Sequence, residues 1–117
     1  MSAARVLVVD DEPDELALLV RHLRRLGYDV VPTKSAEHAL ADDDNLAVDV
    51  AVVDLRLPGM GGWELIDVLR ARRPGLPVIV TSVLDSDDYP LVDAWLPKPF
   101  TGDGVQAALA RALGTAP

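Results

Sequence analysis

Asp10, Asp11, Asp54, Thr81, Ser82 and Lys98 are the residues of this chain whose types could do chemistry together. Each sits at or just past the end of a short apolar run. Asp54 closes Val50-Ala51-Val52-Val53 and leads into Leu55-Arg56-Leu57-Pro58-Gly59-Met60-Gly61-Gly62. A continuous run of small aliphatic and β-branched residues suits a strand buried on both faces. Open α/β sheets bind their ligands just past the carboxyl ends of such strands. Carboxylates gathered there repel and raise one another's pKa unless a positive charge intervenes. Mg²⁺, which takes one or two carboxylates and keeps several waters, is the natural counter-charge. Lys98 offers a point charge for a phosphoryl oxygen and Thr81 a hydroxyl donor. A carboxylate nucleophile, a metal, a lysine and a hydroxyl are the parts needed for phosphoryl transfer. Taken singly, each has a bland reading: Asp10, Asp11 and Glu12 complement a helix N-terminus, Thr81 ends a strand, and Lys98 is a surface cation. It is their joint placement at four strand ends that argues for a site.

The elements that must position them alternate. Arg5 to Val9 reads as a first strand. A helix follows, with Pro13 near its start, Leu16, Leu19, Val20 and Leu23 on one face, and Gly27 as its stop. Tyr28 to Val31 reads as a second strand, and Ser35 caps a helix through about Leu40 that Asp42-Asp43-Asp44-Asn45 breaks. Asp49 to Val53 is the third strand. A helix carrying Trp63, Ile66 and Leu69 then ends on Arg70-Ala71-Arg72-Arg73. Pro77 to Val80 is the fourth strand and Trp95-Leu96 a short fifth. The last helix has Val105, Ala108, Leu109, Ala112 and Leu113 at helical spacing, with Gly114 as its stop. Alternating strands and helices predict an α/β fold, a parallel sheet with helices on both faces. Right-handed crossovers bring every strand's carboxyl end to one edge.

Composition narrows the function classes. The chain has 117 residues, read as one domain over 1–117, with no Cys and therefore no disulfide or thiolate chemistry. Its formal charge of −8 argues against direct binding of nucleic acid phosphates. No apolar run approaches the roughly 18 residues of a membrane span, and the N-terminus does not read as a signal peptide. A cytoplasmic location is expected.

In combination, Asp10-Asp11-Glu12-Pro13, Asp54 with Leu-Arg-Leu-Pro-Gly-Met-Gly-Gly after it, Thr81-Ser82 and Lys98-Pro99-Phe100 resemble the receiver domain of two-component response regulators. The resemblance covers essentially the whole chain. It implies a flavodoxin-like, doubly wound five-stranded parallel sheet of order 2-1-3-4-5. It implies that Asp54 accepts a phosphoryl group from a histidine kinase or histidine phosphotransfer protein and that a downstream protein or effector domain reads the result. Asp11 and Asp54 would ligate Mg²⁺ with the backbone carbonyl of Arg56, Asp10 helping partly through water. Thr81 and Lys98 would bind the phosphoryl oxygens, and Trp95 falls where the family has its switch aromatic. The Lys98-Pro99 bond is expected cis. Such a protein is not an enzyme acting on an external substrate; it catalyses only its own phosphorylation and dephosphorylation.

Two stretches depart from the family. Val83 to Ala94 is too short for an ordinary crossover helix and contains Pro90, so the fourth helix of the family is expected to be shortened or missing. The output face beside it is then the least transferable feature. Arg56 and Val83 fall at positions that in the family flank the phosphoryl group and tune its lifetime, and Arg56 could reach over the site or pair with Glu12. Trp63 reads as packing, and His22 and His38 as surface residues. Two rival readings remain: a receiver-like interaction module that no longer switches, and an Asp-nucleophile, Mg²⁺-dependent phosphatase. The second is weakened because Asp54 lacks an acid two residues on. Whether the chain is complete or excised from a longer protein is left open.

Overall fold

The computed structural model describes residues 3–82 and 92–114. Five parallel strands, β1 (Arg5–Val9), β2 (Asp29–Thr33), β3 (Val50–Asp54), β4 (Val78–Ser82) and β5 (Ala94–Pro97), form one sheet of order β2-β1-β3-β4-β5. Among the described residues four α-helices connect and flank them: α1 (Pro13–Arg25), α2 (Ala36–Leu40), α3 (Gly62–Arg72) and α4 (Gly102–Leu113). A 3₁₀ turn at Asp43–Leu46, capped by Asp42, follows α2. The parallel α/β architecture is the one the alternation of elements predicts, and the strand order is the one the resemblance implies. The segment 83–91, which holds most of the stretch expected to lack a full helix, lies outside the described residues.

The central strands β1, β3 and β4 are buried on both faces because their side chains alternate between two cores. Leu7, Val9, Ala51, Val53, Val78 and Val80 pack with Leu65, Ile66 and Leu69 of α3 and Ala36 and Ala39 of α2. Val6, Val8, Val50, Val52, Ile79 and Leu96 pack on the other side with Leu19 and Leu23 of α1 and Val105, Ala108 and Leu109 of α4. This period of two carries the chemistry with it. Asp54 pairs with Thr81 across β3 and β4. Asp54 continues the Val50–Val52 row and Thr81 follows Ile79, so both belong to the side covered by α1. Asp10 extends the Val6–Val8 row one step past β1, its N–H still donating to the Thr33 carbonyl at 3.1 Å.

Element ends differ slightly from the sequence reading. β2 runs to Thr33 rather than Val31, through Pro32. A proline lacks a donor, but β2 is an edge strand and only one of its sides must be paired. β3 includes Asp54, and β4 reaches Ser82 instead of stopping at Val80. Ser35 and Thr101 cap α2 and α4, accepting from the N–H groups of His38 and Gly104. Gly114 ends α4 in the left-handed conformation, φ 72°. Trp63, read as a packing residue, is 39% exposed at the start of α3.

Gly62 fixes how closely α3 approaches the end of β3. A Cβ there would lie 2.5 Å from the Asp54 carbonyl oxygen and 2.7 Å from Leu55 Cα, both backbone atoms with no rotamer to retreat into. Gly62→Ala is therefore expected to destabilise the protein by about 3 kcal/mol in urea denaturation, at the upper end of overpacking costs. Gly61→Ala, with nothing within 4 Å of its Cβ, is expected to change stability by less than about 1 kcal/mol. Equal effects would contradict the close-approach argument.

Candidate functional site

Asp54, at the carboxyl end of the central strand, is buried, and both its oxygens are engaged. Oδ1 accepts from the Arg56 backbone N–H at 2.9 Å. Oδ2 accepts from Lys98 Nζ at 2.9 Å. Lys98 arrives from the loop after β5, where the Lys98-Pro99 peptide bond is cis as expected. Its ammonium also donates to Glu15 Oε2 at 2.7 Å. Glu15 lies in the first turn of α1.

Asp10 is equally buried. Its Oδ1 accepts from the Glu12 backbone N–H at 2.9 Å, closing a tight turn at the end of β1. That turn directs Asp10 inward and leaves Asp11 exposed. The sequence groups Asp10, Asp11 and Asp54; among the described residues, the carboxylates with oxygens within 4.8 Å of one another are Asp10, Glu15 and Asp54. Asp11 stands at the rim. Glu12 caps α1, its carboxylate accepting from the N–H groups of Asp14 and Glu15 at 3.2 and 2.7 Å. It is thereby committed to the helix rather than to Arg56, whose side chain is exposed.

Among the described residues around Asp54, Asp10 Oδ2 and Thr81 Oγ1 are buried without a hydrogen-bond partner. A buried polar group left unpaired costs about 1–3 kcal/mol, so each calls for an explanation. An acceptor and a hydroxyl on either side of Asp54, both unpartnered, form a site shaped for a cation next to one for an anion. The electrostatics agree. Burial pushes the Asp10 carboxyl up to about 7, and the charges of Asp54 and Glu15 push the same way. The Glu12 N–H and the Lys98 ammonium oppose that rise without cancelling it. For Lys98, burial disfavours the ammonium, but its bonds to Glu15 and Asp54 outweigh this and raise its pKa above the ordinary lysine value. With all four groups ionised the cluster carries two net negative charges, which one dication would neutralise.

The loop after Asp54 is held from the side. Glu37 of α2 accepts from the Met60 N–H at 3.0 Å. This bond and one from its own N–H keep its carboxyl below the ordinary glutamate value. Trp95 pairs with Val80 in β5 and packs against the α2–α3 core, on the face opposite Asp54. Its neighbour Leu96 is the residue paired with Thr81. Among the described residues, Glu15 and Glu37 contribute here without a site role assigned to either from the sequence.

Comparison with known proteins agrees with this geometry. The profile of the response regulator receiver domain family matches residues 6–109. The transcriptional regulatory protein TcrA of Mycobacterium tuberculosis is 38% identical over 97% of this chain, and the alkaline phosphatase synthesis regulator PhoP of Bacillus subtilis 30% identical over 93%. The matches take in 47% and 48% of those proteins, so the chain spans about half the length of these relatives. A CheY-like receiver domain from Methanospirillum hungatei superposes with a TM-score of 0.86, at 28% identity, covering 97% of this chain and 96% of that one. The receiver domain of a Pseudomonas aeruginosa sensor histidine kinase, solved with a magnesium ion in its active-site cleft, superposes with a TM-score of 0.84 at 26% identity, covering 97% of this chain and 99% of that one. This chain belongs to the response regulator receiver domain family of two-component systems.

Proposed function

We propose that Asp54 is a phosphoacceptor, taking a phosphoryl group from a phosphohistidine on a histidine kinase or phosphotransfer protein. The observation that carries this reading is the Lys98 ammonium bonded to Asp54 Oδ2, with the unpartnered Thr81 hydroxyl one strand away. An Asp54 carboxylate oxygen attacks phosphorus, the phosphorus–nitrogen bond breaks, and the imidazole leaves. Lys98 meets the charge on the transferred oxygens and Thr81 donates to one of them. Arg56 N–H holds the other Asp54 oxygen, so the nucleophile is oriented before the donor arrives.

The residues present fit a magnesium ion: Asp10 Oδ2 is a buried acceptor lacking a partner, and two further carboxylates stand close by. Asp10, Asp54 and the Arg56 carbonyl would hold it, with Asp11 at the rim. When bound, the metal supplies positive charge to the phosphoryl oxygens as they approach Asp54. Thr81 drawn toward a phosphoryl group would pull on its β5 partner Leu96 and, through the backbone, on the neighbouring Trp95, and this is the proposed route to a change in surface. The protein acts as a switch rather than on an external substrate. Its output, by analogy with relatives named transcriptional regulators, is an effector working in the cytoplasm.

Three measurements test this reading. In Mg²⁺ with acetyl phosphate as donor, Lys98→Ala is expected to slow phosphorylation about 10²-fold, and Thr81→Ala about tenfold, the scale of losing one charge-stabilising donor. Unchanged rates in both would contradict the assignment. The metal site predicts a pH dependence. Without divalent cation the folded protein keeps the Asp10 proton to about pH 7, whereas the carboxyl ordinarily loses it near 3.8. Between these values the native state binds more protons, so this group's contribution to stability falls as pH rises. The stability of wild type relative to Asp10→Asn should therefore drop by roughly 2–4 kcal/mol from pH 4 to 8 in chelator. In the same range Mg²⁺ affinity should weaken about tenfold for each pH unit below 7, with proton release on binding. An affinity independent of pH would contradict the placement of Asp10 in the site.

A further inference from the structure

Lys98 is shared. In this structure it bonds the proposed acceptor and, at the shorter distance, Glu15 of α1. The three side chains differ in their freedom. That of Asp54 is 3% exposed, that of Lys98 15%, and that of Glu15 36%. Glu15 is thus the rim member, able to rotate into solvent while its backbone stays pinned by the Glu12 carboxylate. A phosphoryl group on Asp54 brings further acceptor oxygens and negative charge to the same ammonium. Glu15 then faces two penalties together: loss of its share of the lysine and repulsion from the new anion.

We propose that Glu15 is a positioning residue that holds Lys98 in the unphosphorylated state and must yield it when a phosphoryl group forms on Asp54. The inference rests on reading Asp54 as the phosphoacceptor. Glu15 restrains Lys98 at the site while no anion is present, and its departure opposes phosphorylation. The alternative role for an acid in the first turn of a helix is to complement the helix dipole. Asp14, its neighbour in the same turn, is exposed, so it supplies the control for that role.

The experiment measures binding of beryllofluoride, a phosphoryl mimic, at saturating Mg²⁺ by tryptophan fluorescence, for wild type, Glu15→Gln and Asp14→Asn. Thermal denaturation verifies that each variant is folded. Glu15→Gln keeps the shape of the side chain but gives up its charge. It is expected to bind the mimic about two- to fivefold more tightly, the scale of a partly exposed ion pair, while Asp14→Asn leaves affinity unchanged. Equal tightening in both variants would reduce Glu15 to a general field effect and overturn the proposal. Unchanged or weaker binding by Glu15→Gln, with wild type binding normally, would overturn it while leaving the phosphoacceptor reading intact. Failure of wild type itself to bind would overturn both.

Discussion

The shared ammonium of Lys98 is the interaction on which the rest of the site depends. Asp10, Glu15 and Asp54 are brought together at one edge of a parallel sheet, two of them almost fully buried. Like charges that close, out of water, cannot all be ionised without compensation. Lys98 bonds Glu15 and Asp54 directly and compensates part of that charge. What it does not cover appears at Asp10, whose carboxyl is pushed up to about 7 mainly by burial. With Asp10 ionised the site is two negative charges from balance, which one dication would meet.

Packing explains how the sheet can hold such groups. Each strand gives alternate side chains to two separate cores, so the strand ends are fixed from both sides. Helix α3 comes close enough to β3 that only a glycine fits at 62, and Glu37 ties the intervening loop to α2. The same alternation that puts Asp54 and Thr81 on the α1 side puts Trp95 on the other. Leu96, the partner of Thr81, lies on the α1 side too and is the chain neighbour of Trp95, so the backbone of β5 links the two faces. A displacement of Thr81 would therefore be felt across the sheet without any contact between Trp95 and Asp54.

Much of this was legible in the sequence. Short β-branched runs ending on polar residues marked the strands, and alternation with helical patterns dictated a parallel sheet, so Asp10, Asp54, Thr81 and Lys98 could be placed on one edge. Three features were not legible, each for a physical reason. Glu15 looks like any acid in a helix's first turn; its partner Lys98 is 83 residues away, and only the tertiary fold pairs them. Asp10 and Asp11 are chemically identical, and it is the continuation of the Val6–Val8 row past β1, held by the turn bond to the Glu12 N–H, that points Asp10 inward. Pro32 reads as the end of a strand, but on an edge strand its missing donor costs nothing.

The central claim is that Asp54 is the group that becomes phosphorylated. It is tested most directly by treating the protein with a phosphodonor and Mg²⁺, reducing with borohydride, which converts an aspartyl phosphate to homoserine, and locating the converted residue by peptide mass spectrometry. The account predicts conversion at Asp54 alone, and only when divalent cation is present. Conversion at Asp10 or Asp11, or phosphorylation of Asp54→Asn that persists at an unchanged rate, would contradict it.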